Sequence, residues 1–223
     1  MTQPIPLIAV IGIGRTLSSA LCESLRMMGA SFGTREIRGE HVALARYLEG
    51  LHPFPKLATQ CLYERDVYSD LAEIIRRIAL ECGTATPAIK YPTLCWHLDD
   101  LAAAWTAGPI RWIHIDRHLE DSIRSLIDRS TPRRSSPRLQ ANADECRRMQ
   151  QSLWLAKEAW FRNGPPHLHI WAEDLMDDPA REFARVAEFL EWDVPAVKLA
   201  NAAAHINRDL ATRRAPSRHT PPI

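Results

Sequence analysis

Apolar residues enter the chain first as an unbroken run and then as a stripe. Pro6–Gly12 (PLIAVIG) is rich in β-branched residues and closed by glycine, the pattern of a strand buried on both faces. From Thr16 to Met28, Leu17, Ala20, Leu21, Leu25 and Met28 recur at helical spacing. Strand, glycine turn and helix together form the opening of a βα unit. Helical stripes return over Val42–Leu51, Val67–Cys82, Leu94–Trp105, Leu119–Arg129, Leu139–Arg162 and Pro179–Leu190. Short segments at Ala88–Lys90, Ile110–Asp116 (IRWIHID) and His167–Trp171 predict further strands, the first ended by Pro92. This alternation predicts an α/β fold: a mostly parallel sheet with helices on both faces.

Breaks in the pattern set the boundaries. Ser130–Pro137 (STPRRSSP) predicts a mobile loop, and Asn163-Gly164-Pro165-Pro166 ends the long helix before it. Beyond Ala211, Arg, Ser, Thr and Pro dominate. The expectation is one domain over residues 1–210 and a flexible tail over 211–223.

Composition narrows the function classes. An apolar fraction of 46% and a charged fraction of 25% are those of an ordinary globular chain of 223 residues. The formal charge of +1 supplies no global field for non-specific nucleic-acid binding, so anion affinity must arise locally. Five scattered cysteines without a CxxC pair argue for a reducing compartment and against structural zinc. No run approaches the roughly 18 apolar residues of a membrane span. The start lacks a signal peptide's basic region and long apolar core, so a cytoplasmic protein is expected.

Candidate chemistry begins at the first turn, Gly12-Ile13-Gly14-Arg15-Thr16-Leu17-Ser18-Ser19. Ligands of open parallel sheets bind outside the C-terminal strand ends. Amides at a helix start lack internal partners and sit at the positive end of the helix dipole, so they favour a phosphate. Arg15 adds a guanidinium fork, and Ser18 and Ser19 add hydroxyls. A Walker A loop would need glycine at Leu17 and lysine at Ser18, which argues against an ordinary Mg-ATP enzyme.

The turn resembles the 5′-phosphosulfate loop, G-x-P-[RK]-S-G-T-[ST], of sulfotransferases that use PAPS (3′-phosphoadenosine 5′-phosphosulfate). Gly12, Arg15, Ser18 and Ser19 fit that pattern, whereas Gly14, Thr16 and Leu17 replace its proline, serine and glycine. A second element resembles the family more closely: the strand ending at Asp116 is followed by Arg117-His118, and Ser125 lies eight positions after Arg117. Lys90-Tyr91-Pro92 is similar to the family's Lys-x-Pro. Leu153-Trp154, the stretch His169–Pro179 (HIWAEDLMDDP) and Val186–Leu190 (VAEFL) resemble its Y-E-D-L…D-P…F-L-G segment. These elements occur in family order over roughly positions 7 to 192.

The resemblance implies a P-loop-NTPase-like fold, PAPS as cofactor and adenosine 3′,5′-bisphosphate as product. The acceptor would be a small molecule, lipid, sugar or peptide carrying a hydroxyl or amine. It assigns the 5′ end to Gly12, Gly14, Arg15, Thr16, Ser18 and Ser19, and the 3′-phosphate to Arg117 and Ser125. Arg15 would stabilise charge on the bridging oxygen. Glu36, ahead of Glu40 and His41, is the candidate general base, with His97 a weaker one. Arg133, Arg134 and Arg138 are candidates for a lid, and Arg213 and Arg214 for contacts from the tail. His114 and Asp116 share one strand face and His167 and His169 another, but with no third ligand evident no metal is expected. Two other classes stay open: a P-loop kinase with Asp116 as magnesium ligand, and a non-catalytic protein that keeps the fold.

Overall fold

The computed structural model describes residues 4–51, 70–130 and 143–206. Its central sheet is formed by β1 (Leu7–Ile11), β2 (Ala30–Ser31), β5 (Thr86–Lys90), β6 (Ile110–Asp116) and β7 (His167–Trp171), in the order β2-β5-β1-β6-β7. All pairs are parallel, with Val10 beside Lys90, Ile11 beside His114 and Asp116 beside Trp171. β1 is buried at every position because it lies at the centre and is covered on both faces. Alternation along it feeds two cores. Leu7, Ala9 and Ile11 join Ile74, Ile78, Leu101 and Leu153 on one side; Ile8 and Val10 join Leu21, Leu25, Phe183 and Val186 on the other.

Six helices form on predicted stripes: α1 (Ser18–Met28), α2 (Val42–Leu51), α3 (Leu71–Cys82), α5 (Leu119–Ser130), α6 (Ala143–Arg162) and α8 (Pro179–Leu190). The helix expected over Leu94–Trp105 is instead a 3-10 turn (Pro92–Trp96) followed by α4 (Leu98–Ala104). His97, with φ −126°, breaks the two apart. Two helices carry no sequence expectation: α7 (Ala172–Asp177), only six residues long, and the alanine-rich α9 (Ala196–His205). α9 is anchored on α1, where Ser24 Oγ donates to the Ala202 carbonyl at 2.9 Å.

The segment holding the candidate bases folds as an antiparallel hairpin, β3 (Glu36–Ile37) and β4 (Glu40–His41). Its two-residue turn, Arg38-Gly39, has positive φ at both positions (56° and 80°), as tight hairpins require. The Arg133, Arg134 and Arg138 loop, the start of the predicted long helix and the tail with Arg213 and Arg214 lie outside the described residues. No helix among the described residues is long and apolar enough to cross a membrane.

Candidate active site

The turn leaving β1 is shaped by close approach to β6. A Cβ at Gly12 would lie 2.7 Å from Ile115 Cγ2 and 2.8 Å from the Ile115 carbonyl oxygen, so only glycine fits without displacement. Thr16 Oγ1 donates to the Ile13 carbonyl at 2.9 Å and closes the turn. Leu17 stands where the family has glycine. Its backbone nevertheless adopts the left-handed conformation, φ 64° and ψ 8°, at a cost of about 1–2 kcal/mol to a residue with a Cβ. The substitution therefore does not change the path of the loop toward one that L residues prefer. No side chain caps the α1 N-terminus, which leaves its first amides to an incoming anion.

A lysine reaches the same place from β5. Lys90 is buried at the strand end, and its Nζ donates to Ser19 Oγ at 3.2 Å and pairs with Glu40. The structure thus joins Ser19, Lys90 and Glu40 from three separate elements. Glu36 lies in the same hairpin but faces elsewhere: it pairs with Arg26 of α1 and accepts from the Gly39 amide at 2.6 Å. His41 is buried, with Nε2 3.1 Å from Glu81 Oε2 and Nδ1 accepting from the Ala43 amide at 3.3 Å. Burial holds its pKa below the ordinary imidazole value. Burial alone would raise Glu81, but hydrogen bonds from the Thr34 amide, His41 and the Thr34 hydroxyl more than offset it and hold the carboxyl at about 2. His97 hydrogen-bonds Asp100 at the start of α4. Of the candidate bases, Glu40 is therefore the one beside the turn's buried cation.

Arg117 follows β6 and is buried. Its Nη1 donates to the Arg15 carbonyl at 3.4 Å, while its buried Nε has no hydrogen-bond partner, the nearest carboxylate oxygen (Glu173) being 3.9 Å away. Arg15 Nε donates to Ser125 Oγ at 3.0 Å. The structure brings Arg15, Arg117 and Ser125 into one cluster, 110 residues apart at its extremes in the sequence.

Two residues missed by sequence reasoning support this arrangement. Gln150 of α6 is fully buried and donates through Nε2 to the Gly14 carbonyl at 2.8 Å. Lys157, also fully buried, donates to Asp116 Oδ1 and His114 Nε2 at 2.5 Å each, and to Glu158 at 2.7 Å. The signal lay in the stripe Cys146, Gln150, Leu153, Lys157, Phe161, which places a glutamine and a lysine on an otherwise apolar buried face.

The expectation that His114 and Asp116 lack a third ligand is corrected: His169 Nε2 sits 3.1 Å from Asp116 Oδ2, and the three groups converge within 4.8 Å. The Lys157 ammonium already supplies the cation at that point. Burial lowers the His114 pKa, which suits an imidazole accepting from an ammonium. Burial would raise Asp116, but the imidazoles of His114 and His169 beside it and the charge of Lys157 hold it far below the ordinary carboxylate range. Both Asp116 oxygens are thereby engaged, which weakens the kinase reading that uses this carboxylate for magnesium.

Neither a protein-family profile nor a curated protein sequence matches the chain. Solved structures do match its fold. The sulfotransferase domain of the Synechococcus PCC 7002 olefin synthase superposes with a TM-score of 0.55 at 18% identity, covering 91% of this chain and 78% of that one. Mouse sulfotransferase SULT7A1 complexed with PAP gives 0.58 at 14% identity, covering 96% and 68%. The sulfotransferase domain from the curacin biosynthetic pathway gives 0.56 at 14% identity, covering 97% and 94%. In fold, this chain is a sulfotransferase-like α/β protein with a central parallel sheet.

Proposed function

We propose that the chain transfers a sulfuryl group from PAPS to a hydroxyl or amine of an acceptor and releases adenosine 3′,5′-bisphosphate. The observation that carries this reading is the union of two anion grips at the C-terminal ends of adjacent strands. One is the uncapped α1 start with Ser18, Ser19 and Lys90; the other is Arg117 with Ser125. The contact from Arg117 to the Arg15 carbonyl joins them.

These residues suit the cofactor. The buried Arg117 Nε without a hydrogen-bond partner is a donor of the kind a phosphate oxygen satisfies. Gly12, Gly14 and Thr16 shape the loop, and the α1 amides and both serines would hold the 5′ end. PAP in the mouse relative is consistent with this ligand class. When bound, PAPS supplies an activated sulfuryl group on a phosphate oxygen.

The chain's own residues supply the rest. Lys90 Nζ and the α1 amides stabilise negative charge developing at the helix start. Glu40, a carboxylate beside that cation, accepts the proton of the acceptor hydroxyl or amine. Glu36, bonded to Arg26 and the Gly39 amide, fixes the hairpin that carries Glu40.

The test is transfer of radiolabel from sulfur-labelled PAPS across a panel of small-molecule, sugar, lipid and peptide acceptors. Labelled product is expected from the wild-type chain and not from Lys90→Ala. No product from any acceptor, with magnesium-dependent ATP turnover in its place, would overturn the reading.

A further inference from the structure

We infer that Arg15 grips the 3′ end of the nucleotide together with Arg117 and Ser125, and so sets the preference for a ribose 3′-phosphate. This inference rests on the reading above, in which the site holds a nucleotide phosphorylated at both its 5′ and 3′ positions. Its position in the sequence assigns Arg15 to the 5′ end, because it lies in the turn that leaves β1.

The side chain runs the other way. Arg15 Nε donates to Ser125 Oγ at 3.0 Å, in the second turn of α5, and its own carbonyl accepts from Arg117 Nη1 at 3.4 Å. Its φ of 72° is uncommon for a residue with a side chain and fits a backbone held by such contacts. The 5′ side meanwhile has a cation without it, since Lys90 Nζ already reaches Ser19 at the helix start.

Charge points in the same direction. Glu173 Oε1 lies 3.9 Å from Arg117 Nε, so the Arg117 charge is partly balanced within the protein. A phosphate monoester carries a charge of roughly −1.5 to −2 at neutral pH. One guanidinium facing a carboxylate leaves that charge poorly matched, and a second guanidinium with a hydroxyl brings the site closer to it. Arginine's fork also lets each guanidinium offer more than one donor to the same phosphate.

Isothermal titration of adenosine 3′,5′-bisphosphate and of adenosine 5′-monophosphate separates the two ends, because the ligands differ only in the 3′-phosphate. The wild-type chain should prefer the bisphosphate. Arg15→Gln should weaken the bisphosphate about 10- to 100-fold and shift the monophosphate by no more than about twofold. Ser125→Ala combined with Arg15→Gln should lose less than the sum of the single losses, for the bisphosphate alone. Equal weakening of both ligands by Arg15→Gln returns the residue to the 5′ end and overturns the inference alone. A wild-type chain that binds neither ligand overturns the nucleotide reading and the inference together. Thermal unfolding monitors folding of each variant. If Arg15→Gln does not fold, Arg15→Lys carries the same test and should narrow the preference for the bisphosphate; an unchanged preference would overturn the inference.

Discussion

Lys90 Nζ donates to Ser19 Oγ across 3.2 Å, tying the end of β5 to the first turn of α1, where helix amides face outward. The lysine is buried and its other partner is Glu40, so the charge is held in place by the protein. Preorganised charge of this kind acts on developing negative charge with little rearrangement.

Lys90→Met should therefore reduce transfer more than nucleotide binding. Loss of one positioned electrostatic donor corresponds to about 10²–10³-fold in kcat. Steady-state kinetics beside titration with adenosine 3′,5′-bisphosphate make the comparison. Equal losses in both would place Lys90 in binding alone.

Leu17→Gly tests the loop. The backbone at Leu17 already occupies the left-handed region, so glycine relieves about 1–2 kcal/mol of conformational cost there. Nucleotide affinity should be kept or raised. A loss of affinity would mean that packing of the leucine against the α1 side of the core, and not backbone geometry, holds the loop.

Gln150→Leu removes the donor to the Gly14 carbonyl and should weaken nucleotide binding by about 1 kcal/mol or more. Its effect on melting temperature should be small, because leucine fills the buried stripe of α6 and the replaced amide has an oxygen with no hydrogen-bond partner. A large fall in melting temperature with unchanged affinity would show the glutamine to be structural only.

Lys157→Met leaves Asp116 buried without its cation and should destabilise the fold by about 3–5 kcal/mol. Adding Asp116→Asn removes the stranded charge and should recover much of the loss. Chemical denaturation of the three proteins measures both numbers.

Acid should act in two stages. Burial holds His41 and His114 below their ordinary values, so the unfolded chain binds the extra protons and stability falls as pH drops below about 6.5. Glu81 and Asp116 are held low in the folded chain; their contribution is present above the unfolded value near 4 and is lost as pH falls below it. Melting temperatures from pH 7.5 to 3.5 should show both declines, with the upper one shallower in His114→Gln.

Much of the fold was legible because β1 is an unbroken apolar run and the main helices carry regular stripes. The β3–β4 hairpin was not, because two-residue strands leave no alternation to read, although Arg38-Gly39 between them is a tight-turn pair. At the site, Gly12 could be singled out from the glycine turn that leaves the first strand, and Arg117 and Ser125 only from their resemblance to the sulfotransferase pattern. The Ser19–Lys90–Glu40 cluster could not, since its members lie 71 and 50 residues apart and meet only through the order of β5 beside β1. The resemblance puts Glu36 ahead of Glu40 by its distance from the loop arginine, whereas the hairpin register, Glu36 opposite His41 and Ile37 opposite Glu40, puts the two carboxylates on opposite faces, Glu40 toward Lys90 and Glu36 toward Arg26.

Titration of adenosine 3′,5′-bisphosphate into the wild-type chain and into Arg117→Ala tests the central claim most directly. The account predicts saturable one-to-one binding by the wild type, weakened at least about 10-fold in the variant. Binding of equal strength in both proteins, or no binding by a folded wild-type chain, would contradict it.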